Sequence, residues 1–129
     1  ESYNAATSVV STLWLISNNK TNITEIKDQI EFVYGDLPPI QKIQFNETCQ
    51  ETIPICYSIL LNSSSFEDAM RKSIYVGGDT DTICAIVGSM AEPLFGIPKE
   101  IEDKMWDYLD NDMREIVRKF ELATSQNDS

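Results

Sequence analysis

The sequence predicts an all-α fold, and three observations carry that expectation. Apolar residues recur at three- and four-residue spacing along most of the chain. Ser, Thr, Asn, Gly and Pro punctuate the segments between them. No period-two alternation persists beyond a few residues. The 129 residues contain no internal repeat and no long linker, a length and texture that suit one domain or a large part of one.

The elements follow in order. Ala6, Val9, Val10, Leu13 and Ile16 fall at helical spacing over residues 3–17, and Trp14 and Leu15 broaden the apolar face, which predicts a well-buried first helix. Asn22 and Glu25 have capping-box spacing ahead of a second helix, whose inner stripe is Ile23, Ile26, Ile30 and Val33. Gly35 is its expected left-handed stop, and Pro38 and Pro39 keep the next stretch extended. Thr48 and Glu51 repeat the box spacing for a third helix reaching about Leu61, but Pro54 belongs in a first turn and moves the expected start toward Thr52. Ser65 and Asp68 form a further box, opening a short helix through Met70 to Ile74. After Gly77 and Gly78 a helix is expected from about Thr80 to Ala91, stopped by Pro93.

Pro98 suits a first helical position. From there Ile101, Met105, Tyr108, Leu109, Met113, Ile116, Val117 and Phe120 carry a stripe to about Leu122, with a break into two helices near Asn111. Glu100–Lys104, Asp110–Arg114 and Glu115–Lys119 stand at i,i+4 for ion pairs, and residues 123–129 read as a frayed polar tail.

Composition narrows the function. Hydrophobic residues make up 42% of the chain, enough for a core, yet no apolar stretch has the length of a membrane span, so no membrane partner is expected. A net charge of −11 is repelled by a phosphate backbone and argues against a nucleic-acid surface. Much of the acid follows Glu92, interspersed with Lys and Arg as on a solvated helix face. Cys49, Cys56 and Cys84 form no CxxC pair, and the chain has no histidine, so zinc and a disulfide framework are poor readings. Reduced thiols and a cytoplasmic location are expected instead. The start carries no signal-peptide pattern, and the Asn-x-Ser/Thr triplets at Asn22, Asn46 and Asn62 are read as chance. Without histidine no Ser-His or Cys-His nucleophile can be built, which leaves carboxylates, hydroxyls or a metal to carry any chemistry.

The segment YVGGDTDTICAIVG, residues 75–88, concentrates those groups. Two carboxylates about 5 Å apart repel by roughly 3 kcal/mol at an effective dielectric near 20, so something must offset the cost. Gly77 and Gly78 let the backbone turn sharply and approach a ligand. Asp79, Asp81 and the hydroxyl of Thr82 are hard oxygen donors of the kind that suit Mg²⁺, Mn²⁺ or Ca²⁺. The alternative is purely local: Asp79 or Thr80 caps the following helix and Asp81 favours its dipole. Other loops fail on detail. An EF-hand starting at Asp79 would need Gly and Glu where Cys84 and Met90 stand; a DxDx[TV] phosphatase loop would need an apolar strand before it and Thr or Val in place of Ile83; a P-loop would need GK[ST].

GGDTDT followed by a helix of small residues closely resembles the C-terminal signature of the ADP-ribosylglycohydrolase family. The likeness extends over TCQETIPICYSILLNSSSFEDAMRKSIYVGGDTDTICAIVGSMAEPLFGIPKEIEDKMWDYLD, which is similar to the family's last helices in order, and the opening ESYNAATSVV is similar to a preceding one. The resemblance implies an all-α fold around a two-magnesium centre, with Mn²⁺ as a substitute, that hydrolyses the bond joining ADP-ribose to a protein side chain or a small acceptor. It implies Asp79, Asp81 and Thr82 as metal ligands, with Asp81 bridging, and Gly77 and Gly78 as the substrate-binding loop beside the ribose. The implied partners are an ADP-ribosylated protein or a small ADP-ribose compound.

The family's TDDT-like motif and the acidic residue before it do not occur here, and Pro93 and Leu94 replace a small and an aromatic residue at the helix end. The expectation is therefore a single partial domain, 1–129, forming the C-terminal half of the family's domain and partnered by the missing N-terminal half. Two functional classes follow: a metal-dependent hydrolase seen through its C-terminal half, or a non-catalytic ADP-ribose- or cation-binding module that keeps the fold. The first helix, apolar on several sides, is expected to leave uncovered surface through which the chain self-associates. Trp14 and Trp106 are expected in the core rather than stacked on a nucleotide. Met70, Met90, Met105 and Met113 are read as gap-fillers, and Cys84 as buried beside Ile83 and Val87.

Overall fold

A computed structural model describes residues 2–18, 23–44 and 49–125. These form α1 (Ser2–Ser17), α2 (Ile23–Tyr34), α3 (Cys49–Leu61), α4 (Phe66–Val76), α5 (Thr80–Phe95), α6 (Lys99–Tyr108) and α7 (Asn111–Ser125). Among the described residues there is no strand, only an isolated parallel bridge between Ile43 and Gly77. Among the described residues no helix is long and apolar enough to cross a membrane. The chain divides by its contacts into two units, Glu1–Gly96 and Ile97–Ser129.

The first unit is built on α3. Cys56, Tyr57, Ile59 and Leu60 are fully buried there, because this helix is apolar around most of its circumference and is covered by α1, α2, α4 and α5. Burial of each such large side chain contributes about 1.5–3 kcal/mol. From α5, Ile83, Val87, Met90 and Ala91 point into the same core, and the Met70 side chain of α4 lies beside Gly88. Phe66, Ala69, Ser73 and Val76 line the buried side of α4, which opens with the Ser65 cap: Asp68 N donates to Ser65 Oγ at 3.0 Å. The return bond goes one residue further back than in a standard box, from Ser64 N to Asp68 Oδ2 at 3.0 Å.

Several expectations are corrected in this unit. α3 starts at Cys49 and not near Thr52, so Pro54 lies inside the helix and deprives the Gln50 carbonyl of its partner. α5 runs through Pro93 to Phe95; Pro93 and Ser89 are both exposed, so water can serve the carbonyl that the proline leaves open. The helix ends instead at Gly96, φ 73°, whose N–H donates to Glu92 O at 2.7 Å. On α2 only Ile26 and Ile30 are buried, while Ile23 and Val33 of the predicted inner stripe are exposed. α1 buries Ala5, Thr12 and Ile16, but Trp14 is 57% exposed and not in the core. Gly35 does stop α2, at φ 71°, donating to Glu31 O. The expected caps Asn22 and Thr48, and the triplet at Asn46, lie outside the described residues.

In the second unit neither α6 nor α7 buries a residue, and Met105 and Met113 are exposed rather than filling gaps. Pro98 is the N-cap of α6, one position earlier than expected, and its carbonyl accepts from Ile101 N and Glu102 N. The break near Asn111 is present. Asp110 produces it by capping α7, accepting from Met113 N at 2.9 Å, so its carboxylate is used there and not on Arg114. Arg114 turns back to donate Nε to Trp106 O at 2.9 Å, and the Arg118 guanidinium lies 5.6 Å over the half-buried Trp106 ring. Glu115–Lys119 pairs as expected; Lys99–Asp103 forms in place of Glu100–Lys104. Residues 123–125 continue α7 rather than fraying, and 126–129 lie outside the described residues.

Candidate functional site at the aspartate loop

The loop between α4 and α5 is made by two successive left-handed glycines. Gly77 has φ 76° and Gly78 φ 66°, conformations that side-chain-bearing residues rarely adopt. They end α4 and deliver Asp79 to the N-cap of α5, where its carbonyl accepts from Ile83 N at 3.0 Å. Behind the loop Ile83 and Val87 anchor α5 in the core; in front, Asp79 is half-buried and Asp81 and Thr82 are exposed. The three candidate ligands thus occupy a non-helical entry and the first turn of a well-anchored helix.

Asp79 does not behave as a helix cap. It stands at the N-cap position but makes no side-chain cap hydrogen bond. The Asp81 carboxyl is held below the usual carboxylate range, first by a hydrogen bond with the neighbouring Asp79 and then by the backbone N–H of Thr82 and its own. Thr82 N donates to Asp81 Oδ1 at 3.0 Å. The N–H groups at the helix start, that of Thr82 among them, offset part of the repulsion between the aspartates.

Cys84 lies one turn on. It is half-buried, not buried as expected, and its thiol is pushed up by burial and then by the Asp81 charge, against a hydrogen bond with Ser73. Cys56 is fully buried, and burial raises its thiol to about 12.

The sequence reading missed the segment that closes the loop from behind. Ile43 bridges Gly77, and Ile43 N donates to Val76 O at 2.9 Å. The only signal was the pair Pro38–Pro39, which announces extended chain but not its destination.

A family model for ADP-ribosylglycohydrolase matches residues 4–128. The chain belongs to the ADP-ribosylglycohydrolase family. No curated protein and no solved structure matches it at a significant level. The all-helical architecture accords with this family. ADP-ribosylglycohydrolases are in general metal-dependent. The aspartate pair fits a hard divalent cation in donor type, as two carboxylates two residues apart at one helix start. It fits in part only: among the described residues no cluster of three or more His, Cys, Asp or Glu surrounds a metal position.

Proposed function

We propose that this chain carries the C-terminal, aspartate-loop half of a metal-dependent hydrolase that removes ADP-ribose from a modified protein or a small acceptor. The observation that carries the reading is the behaviour of Asp79. A carboxylate at an N-cap ordinarily bonds to the free N–H groups of the first turn. Asp79 leaves them and stands two residues before Asp81 at the same helix start, a pairing that a cation would convert from repulsion into joint attraction. The order of motifs through residues 48–110 supports the assignment to the C-terminal half.

In this reading Asp79, Asp81 and Thr82 hold Mg²⁺, or Mn²⁺ in its place, with Asp81 bridging. When bound, the metal supplies Lewis-acid orientation of the ribose hydroxyls and a more acidic water. The chain's own residues present the donors from a rigid helix start and, through Gly77 and Gly78, leave the backbone bare where the ribose approaches. Thr82 adds a neutral dipole, and Asp81 a full charge.

The carboxylates of the TDDT-like motif are absent from these 129 residues, so the chain by itself lacks a closed two-metal site. Titration with Mn²⁺ should show weak binding, abolished by Asp81→Ala and only reduced by Thr82→Ala, because a carboxylate supplies charge and a hydroxyl does not. Equal losses in both variants would contradict the bridging role. ADP-ribosyl hydrolysis should be absent from the chain alone and appear in the longest reading frame that contains it. Turnover by the chain alone, lost in Asp81→Ala, would overturn the assignment to one half.

A further inference from the structure

Residues 38–44 run as an extended strap from α3 to the aspartate loop. Its first anchor is Pro38, whose carbonyl accepts from Ser58 Oγ at 2.6 Å. Its second is Ile43, whose N–H donates to Val76 O at 2.9 Å. Between them the Lys42 ammonium lies 5.9 Å from the Tyr75 ring centroid. At the second anchor the fit is tight. A Cβ on Gly78 would come within 3.1 Å of Ile43 Cγ1 and Cδ1 and 3.3 Å of the Gln44 carbonyl oxygen. The missing side chain of Gly78 is therefore the notch into which Ile43 fits.

The contact matters because α5 holds Asp79 through its carbonyl alone and leaves its carboxyl without a cap bond. That residue reaches the helix start through two positive-φ glycines, so the place from which its carboxyl is presented depends on how they are held. Glycine visits left- and right-handed regions about equally, so an unsupported Gly-Gly pair would present Asp79 in many directions. A site whose competent conformer is only partly populated binds its ligand more weakly by that fraction.

We infer that Ile43 is a positioning residue for the aspartate pair: seated in the Gly78 notch and bonded to Val76, it holds the glycine loop in the conformation that brings Asp79 to the start of α5 with Asp81. The inference rests on the reading of Asp79 and Asp81 as a cation-binding pair, and it extends the working part of that site to a strap 34 residues upstream of Gly77.

The test uses the 129-residue chain, Mn²⁺ as the probe and two variants, Ile43→Ala and Ile43→Val. Mn²⁺ affinity is read by electron paramagnetic resonance, and loop conformation by amide hydrogen exchange at Gly78 and Asp79. Ile43→Ala should weaken Mn²⁺ binding on the order of 10-fold, the size seen when outer partners of metal ligands are removed. It should speed exchange at Gly78 and Asp79 while leaving α3 protected, and Ile43→Val should restore both readouts. Unchanged loop exchange in Ile43→Ala would overturn the inference. So would a uniform loss of protection through α3, α4 and α5, which marks a structural role only. If the wild-type chain binds no Mn²⁺ but Ile43→Ala still frees Gly78 and Asp79, the cation reading fails and the positioning role stands.

Discussion

Tyr57 Oη lies 2.7 Å from Ser8 Oγ, tying a fully buried ring of α3 to α1. Thr12 Oγ1 shares the phenol at 3.2 Å, and the Tyr34 ring sits 5.8 Å away, tilted by 43°. Burial pushes the phenol's pKa up, and the two hydroxyls partly offset that effect. Tyr57→Phe keeps the ring and removes the oxygen. Ser8 is half-buried and can turn to water, but Thr12 is buried and loses its partner. The cost should be about 1–3 kcal/mol, read from urea denaturation with an unchanged slope. A loss below about 0.5 kcal/mol would mean that α1 is held by apolar packing alone.

Cys56 and Cys84 should differ sharply in reactivity. With its pKa raised to about 12 by burial, Cys56 has roughly one thiolate in ten thousand molecules at pH 8. Its raised folded value also fixes the sign of its linkage. The stability it contributes is full below the ordinary value of 9.0 and is lost as pH rises toward about 12. Disulfide-exchange labelling of the native chain at pH 8 should therefore modify Cys84 and spare Cys56 until the chain unfolds. Early labelling of Cys56, located by peptide mapping, would show that α3 opens locally.

The helices and their order were legible in the sequence because periodicity, caps and glycines act over a few residues. Ser65, Gly35 and the Asn111 break belong to this class. Misreadings arose where tertiary surroundings decide. Pro54 and Pro93 argue locally for helix ends, but flanking turns that are anchored in the core carry the helix past them. Trp14 and Val33 look like core residues, and which of them is covered depends on helices packed from elsewhere. At the candidate site the glycines and aspartates were legible as types. Their geometry was not, because it depends on Ile43, whose contact with Gly78 has no local signature.

Two caps on neighbouring residues should respond differently to acid. Ser65 is uncharged, so Ser65→Ala should cost about 1 kcal/mol at any pH. The Asp68 carboxyl is held below its usual range, first by Lys72, whose Nζ is 2.7 Å away, and then by Ser64 N. A depressed folded value gives stability that is present above the unfolded value of 3.8 and lost as pH falls through the folded one. Asp68→Asn should thus lower Tm at pH 7, and its gap to wild type should narrow as pH falls below the ordinary carboxylate range and close once the folded-state carboxyl is protonated. A gap that persists there would assign the effect to hydrogen-bond geometry instead of charge.

The last prediction concerns the exposed apolar side chains of α1 and α2. Val10 is 64% exposed, Trp14 57%, Phe32 92% and Val33 63%, although all four are large and apolar. A cavity of about 470 Å³ opens beside Val10, Trp14 and Leu15. α1 is apolar on more than one side, and α3 and α5 cover only the side carrying Ala5, Thr12 and Ile16. Burying each exposed side chain of this size is worth about 1.5–3 kcal/mol, enough for a few of them to drive association. Sedimentation velocity of the chain should therefore show a weight-average coefficient that rises from micromolar to hundreds of micromolar. The double variant Val10→Ser, Trp14→Ser should stay monomeric over the same range with its helical content intact. A wild-type chain that remains monomeric throughout would show that this apolar face is too dispersed to pair with itself. Association unchanged by the double variant would move the contact to the exposed apolar residues of α7, Ile116 and Phe120.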